Sequence, residues 1–282
     1  MKQLEKSVTT NFNKRSAVQI SKPSSSRTDP LMVQSVAKAF RVFAAFNGPT
    51  PTMGLTELAA AVGLNKSSTQ RFTHTLTKLG YLQNDPKTKQ FELTVKTLDF
   101  GYFYTRANPL RHRALPYLLH LSKATEETVN LTVRDDTDII FVSRFMSRHV
   151  LNSDVIIGTR MPAYCTAPGI AILSQLPRTE ARDIFNRSDL KAFTPHTTYR
   201  MEDLFKKLDT TAARGYATAF EEFFLGDLSI AAPILDQNRR PIGAINIAVS
   251  RARFSPENAE KKFSPLIVAA ALSVSQISNS HR

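Results

Sequence analysis

Residues 55–81, LTELAAAVGLNKSSTQRFTHTLTKLGY, constrain the fold more than any other segment, because they read as two short helices meeting at a glycine turn. The first is expected to be capped by Thr56, whose hydroxyl can accept a first-turn amide hydrogen bond, to run through Glu57 to Val62, and to break at Gly63. Leu64 packs the turn. The second helix can start at Asn65 or Ser67, both good caps, and sets Thr69, Phe72, Thr73, Leu76 and Leu79 on one stripe toward the core. Thr73 interrupts the apolar character of that stripe. The opposite stripe holds Lys66, Ser67, Ser68, Gln70, Arg71, His74 and Lys78, with short hydroxyls at the N-terminal end and long hydrogen-bonding side chains one turn later. Such a face suits phosphates and base edges. Taken alone, the same pattern fits two structural helices of a bundle with a solvated polar face.

The flanks favour the first reading. Val33, Val36, Ala37, Phe40, Phe43 and Ala44 follow helical spacing and predict a third helix ending near Asn47-Gly48-Pro49, its apolar stripe on the trihelical core. After the second helix, Gly80-Tyr81-Leu82 and Phe91-Glu92-Leu93 read as two short strands around a basic turn, residues 84–89. Lys87 and Lys89 at its tip can reach phosphate beside the groove, although lysine-rich tips also occur on ordinary hairpins. Three helices and a basic hairpin in this order predict a winged helix-turn-helix.

The chain has 282 residues, enough for two domains, and 42% hydrophobic residues support a core in each. Its formal net charge is +13, and the distribution is informative. Residues 1–30 hold six Lys and Arg against two Asp and Glu, and residues 31–107 hold nine against four, so most of the positive density falls at and before the groove reader. Residues 1–30, with Pro23-Ser24-Ser25-Ser26 and no sustained apolar run, read as a flexible basic tail. No signal-peptide pattern and no stretch able to span a bilayer is present, so a cytoplasmic protein without membrane contact is expected. Cys165 is the only cysteine, which excludes an internal disulfide and a multi-thiolate zinc site, and His112, His120 and His149 lack a ligand spacing, so neither metal nor cofactor is expected.

Residues 95–107, VKTLDFGYFYTRA, read as a linker helix unusually rich in aromatics, and Asn108-Pro109 as the start of the next helix. The aromatics fit packing on a second subunit or on their own domain. Strands follow at 128–133 and 138–145 around the turn 134–137, then at 216–220, 229–235 and 242–250. Helices are expected at 167–176, 179–185 and 201–214, and a last one carries Phe263, Leu266, Ile267, Ala270, Ala271, Val274 and Ile277 on one stripe. The fold class is α+β, a mostly antiparallel sheet with helices packed on it.

Several separate motifs now share an order and spacing: Val33-Gln34-Ser35-Val36, LTELAAAVGL, RFTHTLTKLGYL, Glu127-Thr128-Val129 leading into Asn130-Leu131, and Ile157-Gly158-Thr159-Arg160-Met161-Pro162. Further on stand Arg214-Gly215-Tyr216-Ala217, Glu221-Glu222 with Gly226, Ile230-Ala231-Ala232-Pro233-Ile234 and Ala244-Ile245-Asn246-Ile247. With them the chain resembles the IclR-type bacterial transcriptional regulators over nearly all of residues 31–278. The resemblance implies a winged helix domain at 31–94, a dimerising linker helix at 95–107 and a GAF-like effector-binding domain at 108–282. It also implies assembly as dimers or dimers of dimers and control of catabolic genes. Carried over by position, the effector pocket would be lined by Ala163, Cys165, Thr166, Ala167, Pro168, Ala219, Asp227, Ser229, Ile230, Asn246 and Ala248. The chain departs from the family at Ile170, where Gly-Lys is usual, and at Ala219, Asp227 and Ala248, where members binding small oxoacids often differ in polarity. One carboxylate and no lysine disfavour a small, highly charged anion unless Arg144 or Arg160 reaches in; an aromatic acid or another partly apolar metabolite fits better.

An enzyme is the weaker reading. Glu221 and Glu222, adjacent on an expected strand, would point to opposite faces and cannot share a substrate proton. Asp135-Asp136-Thr137-Asp138 lacks the glycine and distal glutamate of a calcium loop and reads as a hairpin turn. Cys165 has no evident base. The remaining alternative is a small-molecule-sensing module whose N-terminal helices make protein contacts; Gln70 and Arg71 discriminate the two. The expected partners are an operator in double-stranded DNA, a small organic effector and a second copy of the chain.

Overall fold

The computed structural model describes residues 29–48, 50–149 and 155–277. The tail expected at 1–30 therefore lies outside the described residues except for Asp29 and Pro30. The chain divides at Arg106/Ala107 into two compact units.

The N-terminal unit runs α1 (Gln34–Ala45), β1 (Thr52–Gly54), α2 (Leu55–Val62), α3 (Lys66–Lys78), β2 (Leu82–Asn84), β3 (Gln90–Leu93), a 3-10 turn at Val95–Thr97 and α4 (Leu98–Ala107). Val42, Phe46, Leu58, Val62, Leu76 and Leu82 form its core. Two sequence expectations change here. Gly54, not Thr56, precedes α2; the Glu57 carboxylate accepts the Gly54 amide at 2.8 Å, which places Thr56 inside the first turn. Half of the stripe predicted to bury α1 is outside: Val33, Val36 and Phe40 are more than half exposed, while Phe43 packs against the core, which Val42 and Phe46 enter. A helix that is apolar on both sides has one side left over within the single chain.

Gly63, at φ +64°, caps α2, with the Leu64 amide returning to Ala59 O at 3.0 Å. Asn65 then caps α3 by accepting the Ser68 amide at 2.7 Å. Thr69 and Thr73 are buried, and their hydroxyls donate to Asn65 O at 3.0 Å and Gln70 O at 3.1 Å, which accounts for threonine on a core stripe. Leu79, placed on that stripe by its spacing, is exposed. The hairpin β2–β3 gains a third strand missed by the sequence reading, giving the order β1-β3-β2, all antiparallel. Ring contacts run Phe40–Phe43–Tyr81–Phe100, the last pair stacked with centroids 5.5 Å apart, so Phe100 of α4 packs on its own domain. Tyr102, Phe103 and Tyr104 remain exposed.

The C-terminal unit runs α5 (Pro109–Thr125), β4 (Thr128–Asp135), β5 (Asp138–Phe145), β6 (Arg160–Pro162), a 3-10 turn at Ala163–Cys165, α6 (Ala167–Leu173), α7 (Arg178–Arg187), α8 (Met201–Arg214), β7 (Ala217–Phe220), β8 (Asp227–Leu235), β9 (Pro241–Ser250) and α9 (Pro256–Ile277). The sheet order is β6-β5-β4-β9-β8-β7, with every neighbouring pair antiparallel. Strand alternation sorts the side chains. Val129, Leu131, Ile230, Ala232, Ile234, Ile245 and Ile247 join Ala114, Leu118 and Leu121 of α5 and Phe263, Ile267, Ala271 and Val274 of α9 in one core. Leu266, expected on that stripe, is 40% exposed. The wholly buried α6 lies on the sheet side away from this core. Gly169 makes its seat possible, since a Cβ there would stand 2.1 Å from Ala163 O.

Candidate nucleic-acid interface and effector cavity

Because α3 sends its threonines and Leu76 inward, its other side is committed to solvent. Lys66, Ser67, Gln70, Arg71 and His74 are exposed, whereas Ser68 is half-buried with its amide in the Asn65 cap. The wing tip presents Lys87 and Lys89 to solvent. Its turn is held by Asp85, whose carboxylate accepts the Lys87 amide at 2.7 Å and is thereby kept below the usual carboxylate range. Lys89 takes a left-handed φ of 57°. The candidate DNA contacts of the sequence thus share one domain: five lie exposed on the outward face of α3, and two on the hairpin.

In the C-terminal unit a cavity of about 700 Å³, open solvent at its mouth included, lies between the sheet and the segment leading into α6. Nine of the eleven residues expected there do line it: Cys165, Thr166, Ala167, Pro168, Ala219, Asp227, Ser229, Asn246 and Ala248. Ile230 is a correction. It follows Ser229 on β8, so alternation turns it to the opposite face, into the core under α5 and α9. Ala163 is also absent from the lining; it is fully buried in the 3-10 turn, against the seat of Gly169.

The wall contains groups that the expected set omitted, notably Thr128, Asn130, Phe141, Arg144, Phe223 and Phe224. Arg144 reaches the cavity through an irregularity. Thr132 pairs with Phe141 but Leu131 with Ser143, so one extra residue of β5 resets its alternation, and both Phe141 and Arg144 face the same space. Arg144, Asn130 and Asn246 are then cross-strand neighbours on β5, β4 and β9. Arg144 Nη1 donates to Asn130 Oδ1 at 3.0 Å, and Asn246 Nδ2 donates to Ser229 Oγ at 3.1 Å. Asn246 Oδ1 is buried and has no hydrogen-bond partner. Two carboxylates line the cavity, Asp227 and Glu222, where the sequence reading expected one; burial pushes the Asp227 carboxyl up to about 7, opposed by the Arg144 charge. Burial likewise holds the Arg144 guanidinium below its ordinary value, with Asp227 opposing.

The other titratable groups are accounted for locally. Glu221 and Glu222 leave the sheet after β7, where Glu221 adopts a φ of 57°, so they are not strand neighbours as expected. They still do not share a site: Glu221 accepts the Gly226 amide at 2.8 Å, while Glu222 pairs with Lys207 and accepts the Thr198 amide at 3.1 Å. Arg160 is taken by Asp135 at 2.6 Å and Asp138 at 3.3 Å and does not line the cavity. Asp136 pairs with Arg187, consistent with a hairpin turn for the acidic run. Burial, reinforced by the Glu222 charge, pushes the Cys165 thiol far above its ordinary value, so it stays protonated. Among the described residues no cluster of His, Cys, Asp and Glu can hold a metal ion, and no helix is long and apolar enough to cross a membrane.

Residues 35–86 match the IclR helix-turn-helix domain, and residues 102–276 match the C-terminal domain of bacterial transcriptional regulator IclR. The first match removes the reading in which the N-terminal helices only make protein contacts. The Pca regulon regulatory protein of Pseudomonas putida is 30% identical over 244 residues, spanning 86% of this chain and 83% of that one. The IclR transcriptional regulator structure from Alicyclobacillus acidocaldarius superposes with a TM-score of 0.76 at 24% identity, covering 88% of this chain and 99% of that one. An IclR homologue from Microbacterium hydrocarbonoxydans, solved with 4-hydroxybenzoate, has the same fold, with a TM-score of 0.73 at 18% identity over 88% of this chain and 100% of that one. Matched in both of its domains, this chain belongs to the IclR family of DNA-binding transcriptional regulators.

Proposed function

We propose that this regulator reads its operator with the exposed face of α3 and responds to a partly apolar organic acid held in the C-terminal cavity. The observation that carries the effector reading is a single guanidinium, Arg144, set in a cavity that also presents Asp227, Glu222, Asn130 and Asn246, with Phe141, Phe223, Phe224, Val155 and Met161 as its apolar wall. A carboxylate matches a guanidinium in charge and fork geometry, and the rings suit an apolar or aromatic body. The unpartnered Asn246 Oδ1 asks for a donor, which a hydroxyl on the same molecule supplies.

On DNA, Lys66, Ser67 and Ser68 contact phosphates, Gln70, Arg71 and His74 meet base edges, and Lys87 and Lys89 hold the neighbouring backbone. Two such readers are needed for a pseudopalindromic site. The outward side of α1, with Val33, Val36 and Phe40, and the exposed Tyr102, Phe103 and Tyr104 of α4 supply apolar surface for a second copy. Because the chain divides at Arg106/Ala107, α4 is the covalent route by which an occupied cavity alters the spacing of two readers. Catabolic genes are the proposed targets, in line with an organic acid as signal, and tetramers as dimers of dimers are the proposed higher assembly.

The test is a titration of the protein onto fluorescent DNA from upstream of its own gene, against scrambled DNA of equal length. The expected result is a preference for the upstream DNA that disappears in the Gln70→Ala, Arg71→Ala double variant. A preference that survives both substitutions rules out this reading of α3.

A further inference from the structure

We propose that residues 189–198, on the connection between α7 and α8, set the width of the effector cavity, with Thr197 as the residue that positions its aromatic wall. The inference rests on the carboxylate reading of the cavity given above and adds a determinant of which carboxylates fit.

Two sides of the cavity come from separate parts of the chain. One is the turn Ala163–Cys165 with the start of α6, which brings Cys165, Thr166 and Pro168; the other is the loop 221–226 between β7 and β8, which brings Phe223 and Phe224. The segment 189–198 supplies no lining residue, yet it holds both sides. Near its start, Tyr164 of the turn donates its hydroxyl to Lys191 O at 2.8 Å and accepts the Lys191 amide at 3.0 Å. Near its end, Thr194 and Thr197, both buried, donate to consecutive carbonyls of the loop. Thr194 Oγ reaches Glu221 O and Thr197 Oγ reaches Glu222 O, each at 2.6 Å.

A hydroxyl has one proton to give. With that proton committed to the loop, Thr197 Oγ accepts the amides of Phe193 and Thr194, both at 2.9 Å. One oxygen therefore shapes the segment and fastens it to the loop. The rings repeat the attachment: centroids of Phe193 and Phe223 lie 4.6 Å apart, and those of Phe223 and Phe224 4.7 Å apart. At the neck of the loop the Glu221 amide donates to Asp227 O at 2.7 Å, and left-handed φ values at Glu221 and Gly226 turn its two ends. The neck fixes where the loop leaves the sheet. How far its rings stand from the Thr166 side is set by the two threonines, helped by the ion pair of Glu222 with Lys207 of α8. Removing the Thr197 hydroxyl leaves two amides and a carbonyl unpaired in a buried place, which the loop relieves by moving. Arg144, on β5, keeps its position on the sheet.

Benzoate and formate separate the two effects, because both are ionised carboxylates at neutral pH and only benzoate has a body for the rings to meet. Calorimetric titration of the full chain gives the benzoate affinity, and competition against benzoate gives that of formate. Thr197→Val, an isostere without the hydroxyl, is expected to weaken benzoate about tenfold, the order of one good aromatic contact, with formate nearly unchanged. Thr197→Ser keeps the hydroxyl and should restore most of the benzoate affinity. Amide hydrogen exchange of residues 221–226 should quicken in Thr197→Val and not in Thr197→Ser, with unchanged protection of α9 as the check on the fold.

Unchanged benzoate affinity in Thr197→Val overturns the inference. An equal loss of benzoate and formate also overturns it, since a change of width acts only on the ligand's body, and so does a loss that Thr197→Ser shares in full. All three results leave the carboxylate reading standing. Exchange at 221–226 that does not quicken in Thr197→Val overturns the positioning role without reference to any ligand. A wild type that binds neither probe removes the carboxylate reading and this inference together.

Discussion

The DNA-reading helix and the effector cavity are both polar sites, but they handle their polar atoms in opposite ways. In α3 the buried hydroxyls of Thr69 and Thr73 are satisfied by carbonyls of the same helix, and the functional side chains are delivered to water. In the cavity the polar atoms are enclosed, Asn246 Oδ1 has no partner, and Asp227 is held near the point of titration. Each treatment of polar atoms suits a different kind of partner. Exposed side chains with no internal commitments can be spent on phosphates and bases at little conformational cost. Enclosed groups with unmet capacity discriminate sharply, because a ligand that fails to satisfy them leaves them unpaired where water is scarce.

Breaking one site should leave the other intact, and the largest effect is expected at Arg144. Arg144→Met removes the counter-charge for a carboxylate and should weaken benzoate binding on the order of 100-fold, from a charged hydrogen-bonded contact worth roughly 2–3 kcal/mol. Preference for operator over scrambled DNA, read by anisotropy without ligand, should be unchanged. A smaller effect is expected at the seat of α6. Gly169→Ala places a Cβ against Ala163 O, so the turn carrying Cys165 and Thr166 must shift; thermal unfolding should show a loss of about 1–3 kcal/mol, as for overpacking. The smallest is at the cap of α3. Asn65→Ala leaves the Ser68 amide without its acceptor and should lower the stability of the N-terminal unit by about 1 kcal/mol, with benzoate affinity unaltered.

The same contrast explains what was legible in the sequence. The Gly63 break, the Asn65 cap and the outward face of α3 are local features, set by residues within one or two turns of one another. The cavity is assembled from β4, β5, β7, β8 and β9 and the start of α6, and residue-by-residue analogy reached nine of its members. It failed at Ile230, where a strand's alternation was overlooked, and left Arg144 undecided because a bulge cannot be read from one strand alone. Phe223 and Phe224 belong to a loop whose path is set by Glu221 and Glu222, and no periodicity announces it. The three-residue strands β1 and β6 are too short to carry a pattern. The outer side of α1 misled for a different reason: periodicity reports that a helix face is apolar, not which of two partners covers it.

Occupancy of the Arg144 cavity is proposed to govern the α3 reader. This coupling is tested most directly by titrating benzoate into the preformed complex of the full chain with its operator and following anisotropy. A saturable change in operator affinity is expected for the wild type, in either direction, and none for Arg144→Met at the same benzoate concentrations. No change in the wild type under saturating benzoate, or an equal change in Arg144→Met, would contradict it.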